Sequence, residues 1–559
     1  MKNVIIIGGM AGGCKTAVRL KRISPAFEIT LIESKSFISY GTCGMPFYAS
    51  GEVDAFDDLN KTPFGILRNE DYFRLVKGVN VLTNTIAYKI DKYEKQVYCK
   101  NICTGEEFTL SYDYLVLATG AEPLIPKINI QSVKNVSTFH NPLDAKKFRE
   151  LAEKGKIGSS AIIGGGYIGC ELAEALTAMW GIETHLIEKE NRLLPRFLDK
   201  EISLILEKAL ENEGINLHLS NSVSQIIEQD DGSLSLRLND DELVVDYVFI
   251  CTGIKPKVEL AEQLGLSIGN YGGILVDEEM RSREEGIWAV GDCVEVKNLI
   301  TGKFDYFPLG SLANRQGRVA ANSISNIIDT FKGAIGTNSI RVFGLTVASA
   351  GLNSCAISNE PDKYESVVGC WYDRPDYMPE SKSIFGKLIY QKHNLRLIGL
   401  QLVGYGEVTR YIDVFSALAS NGLACQDLME FEHSYTPPHS SPLNPLNFLG
   451  QMAMNQHFHN VKCVSPLAMN EFDGIVIDVR ELYEVEDVPV PINSVHIPLE
   501  KIKDAMMNYD KRQNILVLCQ RGSRSYEAAR NFVNSGFQNV SYLGGGLQLA
   551  LSILDKKED

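Results

Sequence analysis

The chain has 559 residues, of which 45% are hydrophobic and 22% charged, a composition that fits three or four globular domains. Its net charge of −15 argues against a general nucleic-acid surface or an anionic-membrane surface. No apolar stretch is long enough to span a membrane, and no Cys/His cluster has zinc spacing. The 12 cysteines have no paired spacing, which indicates free thiols. We therefore expect a cytoplasmic protein with no metal, no nucleic-acid partner and no membrane partner.

The N-terminal segment predicts a strand, a glycine turn, a helix through Arg22 and a second strand, Glu28–Ile32. Such a βαβ unit cradles a dinucleotide phosphate at the turn and offers an acid to the ribose at the end of the second strand. Met10 departs from the Gly-x-Gly-x-x-Gly pattern, but the turn and the close helix–strand contact remain. The residues assigned to this nucleotide are Gly8, Gly12, Gly13 and Glu33.

A second copy of the unit begins at Ser160–Ile163 and follows the full glycine pattern. A helix from about Tyr167 to Met179 would direct N–H groups and a favourable dipole at a pyrophosphate. The acid that ends the next strand favours a free 2′-hydroxyl, so we expect NADH rather than NADPH, although Lys189 beside it weakens that preference. The residues assigned here are Gly164, Gly166, Tyr167, Ile168, Gly169 and Glu188.

Three further apolar strands end in short polar motifs. Two end in Thr-Gly, at residues 119–120 and 252–253, where the chain could cross between domains. The third ends in Gly-Asp, which can place a carboxylate against flavin ribityl hydroxyls. From these motifs, the residues assigned to a flavin are Ala118, Thr119, Gly120, Gly291 and Asp292.

Cys43 lies in Ser-Tyr-Gly-Thr-Cys-Gly-Met-Pro-Phe, residues 39–47, without a second cysteine nearby in sequence. With this segment, the order of motifs resembles the two-dinucleotide-fold flavoprotein disulfide reductases. It is most similar to the single-cysteine branch of coenzyme A-disulfide reductase, NADH peroxidase/oxidase and NADH-dependent persulfide reductase. The resemblance implies that the first unit binds FAD, the second binds NAD(P)H, and a C-terminal domain forms a homodimer. Cys43 would then be the redox cysteine.

The same resemblance implies further site residues. Tyr435, in Tyr-Thr-Pro-Pro-His-Ser-Ser, matches a tyrosine that reaches across the dimer to the partner's cysteine. Tyr377 matches a second tyrosine loosely, and an ordinary interface aromatic is the alternative interpretation. Coenzyme A is a further ligand that the resemblance allows, although a threonine replaces the asparagine that helps to bind it. The residues concerned are Arg22, Ser39, Thr42 and Lys61. For Lys61, an ordinary surface lysine is the alternative interpretation.

Residues of the C-terminal third predict two more domains. The first is α+β, with strand-like runs at Ser339–Ala348, Ser366–Trp371, Phe385–Tyr390 and Arg396–Val403 and a helix over Thr409–Ala419. A polar run then predicts a linker. The last segment resembles a single α/β rhodanese domain, in which Cys519 lies in a loop of backbone N–H groups at a helix N-terminus.

The Cys-x4-Arg spacing of this loop is one residue shorter than the Cys-x5-Arg of cysteine phosphatases and suits a sulfur atom rather than a phosphate. Arg521 and Arg524 should lower the pKa of the Cys519 thiol and help to hold a persulfide anion. The predicted loop residues are Arg521, Gly522 and Arg524.

The predicted organisation is an α/β chain with two Rossmann-like domains, an α+β dimerisation domain and a rhodanese domain. Its boundaries are residues 1–115 with 254–325 for FAD, 116–253 for NAD(P)H, 326–450 for dimerisation, 451–461 for the linker and 462–559 for rhodanese.

The leading hypothesis is an NADH-dependent reductase of a persulfide, a polysulfide or coenzyme A disulfide through Cys43, with Cys519 carrying sulfane sulfur. One alternative is an NADH oxidase or peroxidase through a Cys43 sulfenate. The other is a sulfurtransferase whose flavin half acts as a sensor.

Overall fold

The computed structural model describes residues 2–131, 134–239 and 241–554. They form two compact units, the first within residues 1–187 and 222–334 and the second within 188–221 and from 335 onward. The boundaries of the four predicted domains stay predictions. The two predicted chain ends, at residue 1 and within residues 555–559, lie outside the described residues. Residues 132, 133 and 240 also lie outside them.

The first unit contains a parallel sheet of apolar strands with the βαβ order predicted from the sequence. Its central strand, Asn3–Ile7, pairs with Glu28–Ile32 on one side, and the helix Ala11–Ile23 connects the two. That helix packs against Gly310–Ile324 so closely that a side chain on Gly317 would meet the Gly12 carbonyl oxygen at 2.6 Å. The strand order is Ile287–Ala289, Tyr114–Leu117, Asn3–Ile7, Glu28–Ile32 and Asn80–Leu82.

The second nucleotide unit repeats this arrangement. The strand Ser159–Ile163 pairs in parallel with Glu183–Ile187, and the helix Tyr167–Glu174 between them continues as a π-helical turn, Ala175–Met179. The predicted helix is therefore confirmed, with a change of winding in its last turn. Further strands of this sheet are Tyr247–Ile250 and Val136–Ser137, and the helix Pro142–Glu153 precedes it.

Smaller elements complete the first unit. Its short helices are Met45–Ser50, Glu70–Tyr72 and Glu259–Gln263. Its remaining strands are Thr85–Asp91, Gln96–Asn101, Glu107–Ser111, Ala121–Pro123, Asn129–Ile130, Gln225–Glu228, Leu234–Arg237, Glu242–Val245, Ile254–Pro256, Ile274–Leu275, Val294–Lys297 and Phe304–Asp305.

The second unit contains an antiparallel sheet, and here one predicted strand is wrong. Ser339–Ala348 is not one strand but a hairpin, because Phe343 and Gly344 adopt φ values of 49° and 77°, the left-handed pair that turns a chain back on itself. The strand order is Asn338–Val342, Leu345–Gly351, Leu397–Gly404, Ser383–Gln391 and Tyr364–Tyr372. The neighbouring helices are Lys200–Asn212, Thr409–Ser420 and Cys425–Glu430, and the strand Asn216–His218 follows the first of them in the chain.

Most of the segment predicted as a linker is helical, and its role as a linker stays a prediction. Residues 451–459 belong to a helix, Pro445–His459, which Asn444 caps by accepting hydrogen bonds from the N–H groups of Leu446 and Asn447. The polar residues that suggested a linker instead make specific contacts. Gln456 donates to the Tyr390 hydroxyl and accepts the Cys463 N–H at 2.8 Å.

The C-terminal part of this unit is a parallel sheet with helices, as predicted for a rhodanese domain. The strand order is Lys462–Val464, Asn539–Leu543, Asn514–Leu518, Ile475–Asp478 and Val495–His496. The helices are Leu482–Asp487, Ile502–Ala505, Ser523–Asn534 and Gly546–Ile553. In the part of the chain that the structure describes, no helix is both long and apolar enough to cross a membrane.

This parallel sheet is joined to the antiparallel sheet by buried polar contacts. Lys387 forms ion pairs with Asp199 at 2.9 Å and with Glu201 at 3.2 Å, and Ser465 donates to the same Glu201 at 2.8 Å. Cys463 adds a contact from its thiol to the Val368 carbonyl oxygen. These contacts seat the segment that carries Cys519 directly on the antiparallel sheet.

Candidate active site

The first glycine turn is held by a hydrogen bond to Glu33, the acid that follows the second strand. Gly8 adopts φ 114° and lies so near Ala118 that a Cβ would stand 2.0 Å from its carbonyl oxygen, which restricts the position to glycine. Glu33 is buried and accepts the Gly9 N–H at 2.7 Å and the Lys35 N–H at 2.9 Å. The predicted nucleotide residues of this turn therefore come together, with Gly12 and Gly13 in the first turn of the helix.

The strand ends that were assigned to the flavin meet the same turn. Thr119 donates to the Lys257 carbonyl oxygen at 2.6 Å, and the Gly291 N–H donates to Gln316 at 2.7 Å. Burial raises the pKa of Asp292 to about 6, and its carboxylate has no hydrogen-bond donor among the described residues. A half-buried carboxylate without a partner fits the hydroxyl-rich ribityl chain of FAD, since those hydroxyls would supply the missing donors.

The second glycine turn has the same geometry with open space in front of it. A Cβ on Gly169 would lie 2.1 Å from the Gly164 carbonyl oxygen, whereas one on Gly166 would meet nothing within 4 Å. Tyr167 and Ile168 open the helix, and the Ile168 side chain is exposed. The cradle therefore fits a pyrophosphate, as predicted for NAD(P)H.

Glu188, predicted to face the ribose, follows the strand Glu183–Ile187 directly and is buried. One of its carboxylate oxygens accepts the Glu190 N–H at 2.9 Å.

Cys43 lies in a single helical turn, Thr42–Gly44, that leads into the Cys43 helix, Met45–Ser50. The C-terminal end of this helix is held from outside. Arg149 donates to the Tyr48 carbonyl oxygen at 3.2 Å, and the Trp180 indole donates to that of Ala49 at 2.8 Å. These two long-range anchors hold the helix that follows Cys43, and neither residue had a signal in the sequence.

Cys43 is accessible to solvent but surrounded by enough protein to be partly desolvated. This desolvation raises the pKa of the Cys43 thiol, and the Glu171 and Asp292 carboxylates raise it further. A hydrogen bond from Thr42 acts in the opposite direction. Glu171 follows the second glycine turn on its helix and could have been found from that motif, but it was missed.

Two of the residues predicted for coenzyme A, Ser39 and Lys61, are brought together by Arg68, which donates to the Lys61 carbonyl oxygen at 2.7 Å. Arg22 is exposed on the helix Ala11–Ile23, and Lys61 pairs with Asp58 at 2.8 Å on the surface. Ser39 adopts φ 54°, and Arg68, which sequence reasoning missed, approaches its hydroxyl at 3.4 Å. Arg68 is the additional cation that the structure brings to this group.

Tyr435 and Tyr377 both project into solvent, with exposed fractions of 50% and 70%. Neither forms a hydrogen bond within the described residues. Tyr435 precedes a short segment in which the His439 carbonyl oxygen accepts a hydrogen bond from Arg410 at 2.6 Å.

Cys519 lies in a preformed cradle at the end of a buried strand. Its sulfur accepts the Gly522 N–H at 3.2 Å and the Ser525 N–H at 3.3 Å. The Ser525 hydroxyl lies 3.5 Å from the same sulfur and donates to the Gly522 carbonyl oxygen. The Cys519 loop, residues 519–525, can therefore hold an anionic sulfur through main-chain donors alone.

The two arginines of the loop have protein partners that the sequence did not reveal. Arg524 donates to both carboxylate oxygens of Glu484, at 2.6 and 2.7 Å. The Arg521 guanidinium lies 3.8 Å from the centre of the Tyr372 ring, and its Nε donates to Gln548 at 2.9 Å. These partners are Glu484, Tyr372 and Gln548. Each lies at least 27 residues in sequence from the arginine that it contacts, so the spacing of the loop could not indicate it.

All 12 cysteines are free thiols. Residues 2–131, 134–239 and 241–554 contain no group of three or more His, Cys, Asp or Glu side chains arranged to hold a metal ion.

Comparison with protein-family models matches residues 2–317 to pyridine nucleotide-disulphide oxidoreductases and residues 465–550 to rhodanese-like domains. A solved NAD-dependent persulfide reductase from A. fulgidus is 37% identical, with a TM-score of 0.91 over 98% of this chain and 99% of that one. Reduced CoADR-RHD from Bacillus anthracis is 31% identical, with a TM-score of 0.92 over 99% and 98% of the two chains. An NADH oxidase of Methanocaldococcus jannaschii is 31% identical over 81% of this chain and 99% of its own length.

Proposed function

The chain belongs to the pyridine nucleotide-disulphide oxidoreductase family, and from this premise we propose that it is an FAD-dependent reductase that uses NADH to reduce a thiol persulfide. Polysulfide and coenzyme A disulfide belong to the same substrate class, because each presents a sulfur–sulfur bond to Cys43. The observation that carries the proposal is the second sulfur site in the same chain. Main-chain N–H groups of Gly522 and Ser525 point at the Cys519 sulfur, an arrangement suited to a sulfane-sulfur carrier.

The proposed chemistry begins at Cys43. Its thiolate attacks the outer sulfur of R–S–SH, the sulfur–sulfur bond of the donor breaks, and R–S⁻ leaves while a persulfide forms on Cys43. Tyr435 of the partner subunit donates a proton to the leaving thiolate, a role that its exposed side chain supports. FAD, when bound, would supply the electron pair, drawn from NADH, with which a persulfide on Cys43 is reduced to thiolate and hydrosulfide.

The residues of the chain have defined parts in holding the two nucleotides. The first glycine turn, Glu33 and Asp292 would hold FAD, and the turn at residues 164–169 would hold NADH. Burial favours the neutral Cys43 thiol, and the Glu171 carboxylate favours it further. The substrate must therefore be attacked from a thiol that deprotonates as the reaction begins, and proton transfer at Cys43 should affect the rate.

A homodimer that works in the cytoplasm completes the proposal. Tyr435 and Tyr377 are exposed in the single chain, which supports a role for both at an interface between two copies. Exposed free thiols at Cys103 and Cys355 fit a reducing compartment. Coenzyme A fits this scheme as the thiol that carries the sulfur, with the Arg68 cation near Ser39 to hold it.

An NADH oxidase is the second candidate, because a relative with that name matches over 81% of the chain and Cys43 is accessible to solvent. It leaves the Cys519 loop without a role. Steady-state NADH oxidation separates the candidates when oxygen, hydrogen peroxide, coenzyme A disulfide and glutathione persulfide are compared at equal concentration. We expect the highest kcat/KM and stoichiometric sulfide release with the persulfide. Faster turnover with oxygen or peroxide would contradict the proposal.

A further inference from the structure

Arg524, the arginine that closes the Cys519 loop, is neutralised by its neighbours. Both of its terminal nitrogens donate to the Glu484 carboxylate, and the pair is only partly exposed, with side-chain fractions of 31% and 17%. Glu481 places a second negative charge near the same guanidinium. A bidentate pair of this kind leaves little of the arginine charge for an incoming anion.

Arg521 is also committed to the protein. Its guanidinium stacks on Tyr372 of the antiparallel sheet, and Gln548, which accepts its Nε–H, is itself held by a hydrogen bond to Ser383 at 2.7 Å. The aromatic ring and the amide satisfy the cation from two sides. The loop therefore has two arginines without having two free cations.

The groups that remain for a sulfur donor are short-range and weakly charged. The Gly522 and Ser525 N–H groups surround one sulfur atom, and Cys519 is only 1% exposed. Such a site accommodates the narrow end of a persulfide, which carries one sulfur at its terminus and at most one negative charge. Beyond these N–H groups the loop offers only the Arg521 charge to thiosulfate, whose sulfonate is wide and whose total charge is two negative units.

We infer that the Cys519 loop takes its sulfur from thiol persulfides and discriminates against thiosulfate, and that the Glu484–Arg524 pair sets this preference. The inference rests on the proposed role of Cys519 as a sulfur acceptor and names the donor class for that site. In the reaction, the Cys519 thiolate attacks the outer sulfur of R–S–SH. The donor sulfur–sulfur bond breaks, a new one forms at Cys519, and R–S⁻ leaves, so no external oxidant or reductant is needed.

The test is single-turnover loading of the full-length holoenzyme carrying Cys43→Ser, with either thiosulfate or glutathione persulfide. Peptide mass mapping follows the gain of one sulfur atom at Cys519. We expect loading by the persulfide to be at least about a hundredfold faster, which corresponds to about 2.7 kcal/mol of unfavourable charge burial. This comparison uses a chain with both loop arginines and Glu484 intact, so it does not depend on how a loop variant folds.

A charge variant then isolates the pair. Glu484→Gln keeps the shape of the side chain but frees Arg524, and it should raise thiosulfate loading about tenfold, as expected for one charge-assisted hydrogen bond. Persulfide loading should change little, which also reports that the loop is folded. Glu486→Gln is the matched control, since it removes the same charge from an exposed position of the same helix, Leu482–Asp487.

The outcomes separate the inference from the function on which it rests. Equal loading by the two donors, or a thiosulfate gain in Glu486→Gln that matches Glu484→Gln, overturns the inference and leaves the proposed function standing. A Cys519 that neither donor loads overturns its role as a sulfur acceptor, and the inference falls with it. Selective loading by the persulfide, together with a thiosulfate gain confined to Glu484→Gln, supports both.

Discussion

Cys43 and Cys519, for which we propose the same sulfur chemistry, lie in opposite kinds of site. Cys43 is open to solvent, is influenced by two carboxylates, and one of these, the half-buried Asp292, has no donor within the described residues. Cys519 is closed off and already receives two main-chain hydrogen bonds. The first site is completed by the molecules that bind to it, whereas the second is complete in the folded chain. A redox site needs room for cofactor and substrate, and a sulfur carrier needs only to hold one atom.

The largest effect should separate the two cysteines directly. Cys43→Ser removes the nucleophile and should lower NADH-dependent sulfide release from glutathione persulfide by at least about a thousandfold. Cys519→Ser should leave that reaction nearly unchanged, because the free persulfide can reach exposed Cys43 without a carrier. Sulfide and NADH are measured together in stopped assays. A Cys43→Ser enzyme with full activity would remove Cys43 from the mechanism.

The second effect tests whether the Cys519 site depends on the core of its own domain. Arg480 is fully buried and pairs with Asp478 at 2.8 Å, so Arg480→Met leaves a buried charge unpaired and should cost about 3–5 kcal/mol. Arg512→Met, which breaks an exposed pair with Asp510, should cost less than about 1 kcal/mol. Urea unfolding followed by peptide-resolved hydrogen exchange compares the two. Equal losses would contradict the expected cost of leaving the buried Asp478 charge unpaired.

The third effect concerns the open site and has a defined pH window. Because burial raises the pKa of Asp292 to about 6, the folded flavin-free protein binds a proton that the unfolded chain releases above pH about 4. The contribution of this group to stability is therefore full below pH about 4 and falls by about 3 kcal/mol as the pH rises to about 6. The free energy of unfolding is measured across this window. Asp292→Asn should lose this pH dependence. If the free energy of unfolding of the variant keeps the same slope against pH, another titrating group is responsible.

The smallest effect tests the contact that supports the closed site from the antiparallel sheet. Tyr372→Ala removes the ring beneath Arg521 and should slow persulfide loading of Cys519 about two- to fivefold, the range for an exposed cation–π contact. Tyr372→Phe keeps the ring and should load at the normal rate. If both variants load equally slowly, the hydroxyl rather than the ring is responsible.

The local elements were predictable because their signals are local. Both βαβ units formed where glycine turns followed apolar strands, and the helix Thr409–Ser420 matches its apolar periodicity within one residue. The errors arose where a polar or apolar run had two interpretations. Ser339–Ala348 is a hairpin because of two left-handed residues, and the expected linker is helical because Gln456 has partners on the antiparallel sheet. A run of polar or of apolar residues does not by itself distinguish a linker from a helix, or one strand from a hairpin.

By itself, the sequence determined the glycine turns, the acids that follow the strands, and the positions of Cys43 and Cys519 at strand or turn ends. Each depends on a few adjacent residues, so short-range sterics and hydrogen bonding decide it. The tertiary structure alone decided that Glu484 neutralises Arg524, that Tyr372 lies beneath Arg521, and that Asp292 is desolvated with no donor in the described part of the chain. Those properties depend on which distant surfaces meet, because charge and solvation are set by everything packed around a group and not by its neighbours in the chain.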